Sequence, residues 1–582
     1  MTDTAQTMDT ENRKLANNEG WRGEEGLGIA GELAGAKPRA LPAQKEQVDV
    51  DSTGADFAFA CIFPVLGFLF IKLVAASLVT TGHLGAGTFA FTVCTLVAVS
   101  IWLCRNGAAM DKSSWLSFVL ILLMGAYVAI YDNPVLHMLA LLGLIVSAAY
   151  HILSLGKRRV EDRLGDYLVI DAFSSLAVIP LRNMGKLFSV VQKKLNITTK
   201  GKSIAWVLCG AILTLPVTLY ILFLLLNADA AFTQAWQALT QNLSKDVATT
   251  LGQILLSIPV SLYLFGLVYG TSKKQGKPIV EATKAAALAD SAKIFPRHFV
   301  IGGTTPLLAL YLLFFLSQTA YFTSAFFGVL PEGMVYSAYA RRGFFELCSV
   351  CSVNLVFLGV LLVLTKERGE GAATEKRKGG YTNLVAVYGG LLSLFSIALI
   401  VMSLSKMLLY IHIFGLTQLR LYTSWFMVFL LFVFALALVR IARPGLNIVK
   451  ICTSAALLMF LLLGYADTDR LIAWYNLEAY RAGKLQSLDV HMLAGLGSSA
   501  TPYLIDIYAD GTMDTAYRET AERALRHRVL MHRRKQENGE GWRSLTLAEY
   551  SADRMLLGYD GEIKQEGQDS VPVGREGRAS AW

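Results

Sequence analysis

Eleven apolar stretches, each long enough or nearly long enough to cross a bilayer, occupy residues 57–465 of a 582-residue chain. A helix needs about twenty residues to cross roughly 30 Å of hydrocarbon, and a soluble core has no room for so many such segments. They cover 57–79, 86–104, 114–131, 134–154, 204–226, 249–270, 299–323, 343–365, 384–411, 420–440 and 447–465. The third and eleventh are marginal, and the topology turns on them. Composition agrees, with 54% hydrophobic residues and a mean hydropathy of +0.47, beyond what a soluble globular chain carries. The expected fold class is all-α, a polytopic helical membrane protein of about eleven transmembrane helices with a small helical C-terminal domain.

A formal net charge of +9 raises the question of nucleic acid. The basic residues, however, flank apolar segments, where they set orientation and meet anionic lipid, so no nucleic-acid partner is expected. Lys and Arg are retained on the cytoplasmic side. The connection 155–203 is dense in them (Lys157, Arg158, Arg159, Arg163, Arg182, Lys186, Lys193, Lys194, Lys200, Lys202), as are 271–298 and 366–381. The intervening connections 80–85, 132–133 and 412–419 have none, and 227–248 has only Lys245. This alternation places the N-terminus inside and the tail from Ala466 outside.

Four further regions frame the membrane domain of 56–465. Residues 1–55 open without the basic region of a secretory signal and read as a disordered cytoplasmic tail. Within 155–203, Leu181, Met184, Phe188, Val191 and Leu195 recur at helical spacing beside Arg182, Lys186, Lys193 and Lys194. That pattern fits an amphipathic helix on the inner leaflet, its cations on anionic lipid of the cytoplasmic face. Residues 466–560 form an extracytoplasmic domain with helices expected over 469–482, 501–509, 513–535 and 546–557, separated by Gly-rich breaks. Residues 561–582 complete the chain as a disordered tail.

Motifs of soluble chemistry are weak here. Gly26, Gly28 and Gly31 spell G-x-G-x-x-G, but no strand precedes them, so the turn that would present a pyrophosphate to a helix is lacking. Cys348 and Cys351 sit one turn apart inside an apolar span, as small core residues do. All seven cysteines lie in or beside apolar segments, which implies neither a disulfide framework nor a zinc site. No catalytic residue, metal site or cofactor is expected.

Charges at membrane depth are the unusual chemistry, because they are costly there and often functional. Lys72, Glu346 and Lys406 fall in the outer halves of their spans, and Arg341, Arg342 and Arg420 at span starts. Tyr410, His412 and Tyr422 gather on the same side, whereas the inner halves hold little beyond Asn354 and Lys450. An ion-coupled carrier needs polar groups at the midplane and an inner exit. An outward-facing binding site fits this asymmetry better, with Arg341, Arg342 and Arg420 as anion contacts, Glu346 and Lys406 as their support, and Lys72, Tyr410, His412 and Tyr422 around them. The bland alternative is that Glu346 pairs with Arg342 or Lys406 only to lock helices, and that the aromatics form an interfacial belt.

The run Tyr336-Ser337-Ala338-Tyr339-Ala340-Arg341-Arg342-Gly343-Phe344-Phe345-Glu346-Leu347 resembles the Y-A-R-x-G-F-F-x-L signature of domain-of-unknown-function family 4173, bacterial polytopic membrane proteins. Tyr410 to Tyr422 is similar to that family's Y-x-x-x-x-G-L-T-x-L-R-x-Y, and Ala473-Trp474-Tyr475-Asn476-Leu477 with Gly541-Trp542-Arg543-Ser544 to its extracytoplasmic tail. The resemblance covers roughly 55–560. It implies a bacterial cytoplasmic membrane and brings no activity.

The expectation is a non-enzymatic protein that recognises or organises an envelope component, lipid head group or membrane partner at the outer leaflet. A solute or lipid transporter is the alternative. A membrane-embedded transferase stands third, since beyond Asp229, Asp467 and Asp469 the outer side offers no acidic pair for it.

Overall fold

The structure is a computed structural model describing residues 54–162, 164–194, 199–240, 245–327, 343–365, 383–443, 445–537 and 541–566. The motif at Gly26 to Gly31, nearly all of the tail 1–55, and the pair Arg341 and Arg342 lie outside the described residues. What is described is helical, without a strand. The longer helices are α1 (Asp56–Thr81), α2 (Ala86–Arg105), α3 (Lys112–Ile130), α4 (Pro134–Leu155), α5 (Leu168–Gln192), α6 (Thr199–Ala228), α7 (Lys245–Ser272), α8 (Arg297–Phe327), α9 (Phe344–Leu364), α10 (Asn383–Phe414), α11 (Gln418–Ala442) and α12 (Ile448–Tyr465). The C-terminal region adds α13 (Thr468–Arg481), α14 (Val490–Ala494), α15 (Thr501–Ala509), α16 (Thr515–Glu537), α17 (Gly541–Ser544) and α18 (Leu547–Glu566).

Eleven helices among the described residues are long and apolar enough to cross a membrane, and the chain is a multi-pass membrane protein. The set differs from the expected one at one place. The expected span 204–226 lies within α6, whose side chains are described only in part, while α5 qualifies from inside the connection 155–203. α5 contains most of the stretch expected as an amphipathic helix on the inner leaflet and begins earlier, at Leu168, because its first half is apolar. Its Asp171 accepts the Val160 N–H (3.0 Å), just beyond α4, and its Asn183 lies against Gly270 near the end of α7. Val169, Phe173, Val178 and Leu181 are exposed along it.

Span starts carry their own caps. Asp111 accepts the Ser114 N–H (2.8 Å) before α3, Asn133 the Leu136 N–H (3.1 Å) before α4, and Asn447 the Lys450 N–H (2.9 Å) before α12. Orphan N–H groups at a helix start are costly near hydrocarbon, so a local acceptor stabilises each entry. Packing then joins the helices into two groups. One centres on α1 and α7, where a β-carbon at Gly67 would fall 2.1 Å from Ser261 Oγ, so only glycine permits the approach. The other is built from α8 to α11 around Tyr311, Phe344, Leu392 and Phe434.

The helix ends sort into two sets. At the basic end, Lys273 pairs with Asp56 (2.8 Å), Arg158 donates to the Gly270 carbonyl (2.7 Å), and Asn447 donates to that of Leu164 (3.0 Å). The opposite end carries the C-terminal helices, whose apolar core runs from Ile472 and Leu504 to Leu525 and includes Leu416 from the α10–α11 turn. The helices expected there form close to their expected bounds, and α18 continues to Glu566, past the expected boundary at 560.

Candidate functional site

The turn between α10 and α11 roots the C-terminal domain on the membrane helices. Gly415 has φ of 78°, a left-handed conformation that glycine adopts without strain. It frees the next residue to be read by Asn476 of α13, whose Oδ1 accepts the Leu416 N–H (2.8 Å) while Nδ2 donates to the Leu416 and Ile472 carbonyls (2.7 and 3.0 Å). Thr417 caps α11. Arg420 donates to the carbonyls of Phe414 (2.9 Å) and Gly415 (2.5 Å) and lies 4.1 Å from the centre of the Tyr410 ring. The Tyr410 to Tyr422 motif and the Ala473 to Leu477 motif are thus two halves of one joint. Ala86 N–H donates to the Leu545 carbonyl (3.0 Å), so the α17 segment docks at the start of α2.

Beneath the joint lies a polar cluster assembled from three connections. Asp469, 3% exposed, accepts from Gln418 Nε2 (2.6 Å), Asn133 Nδ2 (3.1 Å) and the Gly497 N–H (3.0 Å). Asp132 accepts the Ser498 N–H (2.8 Å). A β-carbon on Gly497 would fall 2.5 Å from Asp132 Oδ1 and 2.7 Å from Asp469 Oδ2, so the two carboxylates converge on that glycine. Tyr422 joins them, receiving Asn133 Nδ2–H (2.7 Å) and bonding Thr468 (3.2 Å). From α16, Arg528 donates to the carbonyls of Leu496 (2.7 Å), Ala494 and Gly497 (both 3.3 Å), fastening the loop that faces the carboxylates.

Electrostatics follow burial. Desolvation pushes the Asp469 carboxyl above the ordinary carboxylate range, against the hydrogen bonds from Gln418 and Gly497 that pull it down. Asp467, at the left-handed start of α13, is raised by burial too. Burial lowers the Arg528 pKa, while Asp132 and Asp469 act to hold its charge. Beside this cluster opens a cleft of about 300 Å³. Its wall combines the α3 end (Ile130, Tyr131) with Asp467, Arg470, Ser498 and Ser499 and with Leu547 and Ser551 of α18. Among the described residues, no group of three or more His, Cys, Asp or Glu is placed to hold a metal.

The residues singled out from sequence divide between this joint and a second locus. Arg420, Tyr410 and Tyr422 belong to the joint. Glu346 accepts the Gly343 N–H (2.9 Å) at the start of α9, and the buried Lys406 of α10 has Nζ 3.7 Å from where a β-carbon on Gly343 would stand, so both reach the same glycine. Lys72 is exposed on a π-helical turn of α1, 5.7 Å from the Phe68 ring centre, and His412 is exposed on α10. Sequence reasoning missed Asp132, Asn133, Ser498, Ser499 and Arg528. The signal was a polar Asp-Asn pair wedged between two spans, too short to read without knowing what faces it.

A family model described as Domain of unknown function (DUF4153) matches residues 118–507. That span holds the first two motifs and the Ala473 to Leu477 stretch, and the family number 4173 is not confirmed by it. No curated protein and no solved structure matches the chain.

Proposed function

The chain belongs to the DUF4153 family, whose description carries no activity, and we propose from its geometry that it is a recognition protein of the bacterial cytoplasmic membrane. The joint cleft takes a polar group of an envelope component, lipid head group or partner. The N-terminus is inside and the C-terminal domain outside, the orientation that the Lys and Arg distribution favours. The observation that carries this reading is the cleft itself, whose walls come from both the membrane helices and the C-terminal domain. Pockets of roughly 300–1,000 Å³ with a few fixed polar groups are the usual form of ligand sites. Arg470, Asp467, Ser499 and Ser551 are the polar groups that select the ligand. Arg341, Arg342 and Arg420 remain proposed anion contacts, with Glu346 and Lys406 supporting them, and anionic lipid meets the basic end.

The test is native mass spectrometry of the intact chain extracted with its lipids, wild type beside the Arg470→Ala, Ser499→Ala double variant. A bound species present in the first and lost from the folded second supports the reading. An identical bound set overturns it. Substrate-dependent uptake that tracked Glu346 or Lys406 would favour a transporter instead.

A further inference from the structure

Between α1, α2, α4 and α7 lies a cavity of about 570 Å³ that the joint does not use. Its walls are hydrocarbon apart from a few hydroxyls, and two of these are unusual. Thr88 Oγ1 and Thr95 Oγ1 on α2 are buried with no hydrogen-bond partner among the described residues, and Thr88 is 2% exposed. The other two are satisfied: Thr92 donates to the Thr88 carbonyl (2.8 Å) and Tyr263 to that of Leu176 (2.8 Å).

The sequence keeps this space open. A π-helical turn at Ile71–Ala75 displaces α1, and Pro259 interrupts the hydrogen-bond ladder of α7; both elements line the cavity. Interiors are otherwise close-packed, so a void of this size among membrane helices is filled by what surrounds it, and there the solvent is lipid. Thr88 is the third residue of α2, about 3 Å from its start and hence near the depth of lipid ester groups. From Thr88 to Val99 the lining runs about 16 Å along α2, close to the hydrocarbon thickness of one leaflet.

We propose that this cavity seats one acyl chain of a bilayer phospholipid, its ester oxygen accepting a hydrogen bond from Thr88 Oγ1 and its tail running past Thr95 toward Leu267. The inference stands apart from the joint cleft and survives its failure.

The test places the full chain in vesicles with a phospholipid carrying a photoreactive group on its acyl chain and maps the adducts by peptide mass spectrometry. Adducts on the inward residues Thr92 and Val260 are expected, and Ala148→Phe, which fills the cavity, removes them while labelling of the exposed Val97 and Leu139 persists. Should Ala148→Phe fail to fold, Val260→Phe fills the cavity from the opposite wall, with Thr92 as the reporter. Thr88→Val should weaken retention of copurified phospholipid about threefold to tenfold, and Thr88→Ser should restore it. Adducts confined to the outward residues, or inward adducts unchanged in a folded filled variant, would overturn the proposal.

Discussion

Asn476 is the residue through which the C-terminal domain reads the membrane helices, and Asn476→Ala tests that role quantitatively. The side chain is 3% exposed and holds both backbone polar groups of Leu416, itself 8% exposed. Truncation strands a buried N–H and a buried C=O, each costing about 1–3 kcal/mol when water cannot reach it. Partial relaxation brings the expected loss to about 2–4 kcal/mol. Gly415→Ala should also destabilise, because a β-carbon there would meet Asn476 Oδ1 at 2.2 Å and the backbone has φ of 78°. The clash vanishes once Asn476 is alanine, leaving only left-handed strain of about 1–2 kcal/mol. The double variant should therefore lose less than the two single losses added together. The assay is thermal unfolding in detergent, with protease resistance of residues 468–537 as the readout. An Asn476→Ala protein within about 0.5 kcal/mol of wild type, the scale of an ordinary surface change, would refute the reasoning.

Three further outcomes follow from the structure. Neutralising Glu346 should cost about 0.5–2 kcal/mol by weakening the acceptor of the Gly343 N–H at the start of α9, and neutralising both Glu346 and Lys406 should cost less than the two single losses added together; simple additivity in a stability assay would show that they act independently at Gly343. Arg420→Ala should cost about 1–2 kcal/mol by freeing the carbonyls that end α10 and removing the contact with Tyr410, and Arg420→Lys should recover only part of it; full recovery by lysine would mean that charge alone matters. The Ser114 hydroxyl and N–H hold the Asp111 carboxyl below the usual carboxylate range, so its contribution is complete above the unfolded value of about 3.9 and is lost as pH falls through the lowered folded value. Asp111→Asn should flatten that part of the acid limb of stability against pH, and an unchanged limb would assign the slope to other groups.

The membrane helices were legible because a run of some twenty residues with at most two charges has one comfortable solvent. The C-terminal helices were legible through their apolar periodicity and glycine breaks. Pairing was not legible. Asp132 and Ser498 are 366 residues apart in sequence, and nothing in either neighbourhood names the other. Arg420 reads as an anion contact because a guanidinium at a span start faces the interface; its bonds to the carbonyls that end the preceding helix were not legible. The second half of α5 was legible from Leu181, Met184, Phe188 and Val191 at helical spacing, while its first half was not, because the cations of the connection outweigh it in any count over the whole. Asp469 was visible as an external acid, but the donors that surround it come from α11, the α3–α4 turn and the Gly497 loop.

The side of the membrane that carries the joint decides what its cleft can meet, and labelling of Ser551→Cys on the cleft wall measures it directly. A membrane-impermeant maleimide is applied to intact cells before and after lysis, with the wild-type protein reporting any labelling of its native cysteines. External recognition predicts full modification of the cysteine in intact cells. Modification only after lysis would place the C-terminal domain in the cytoplasm and contradict the account.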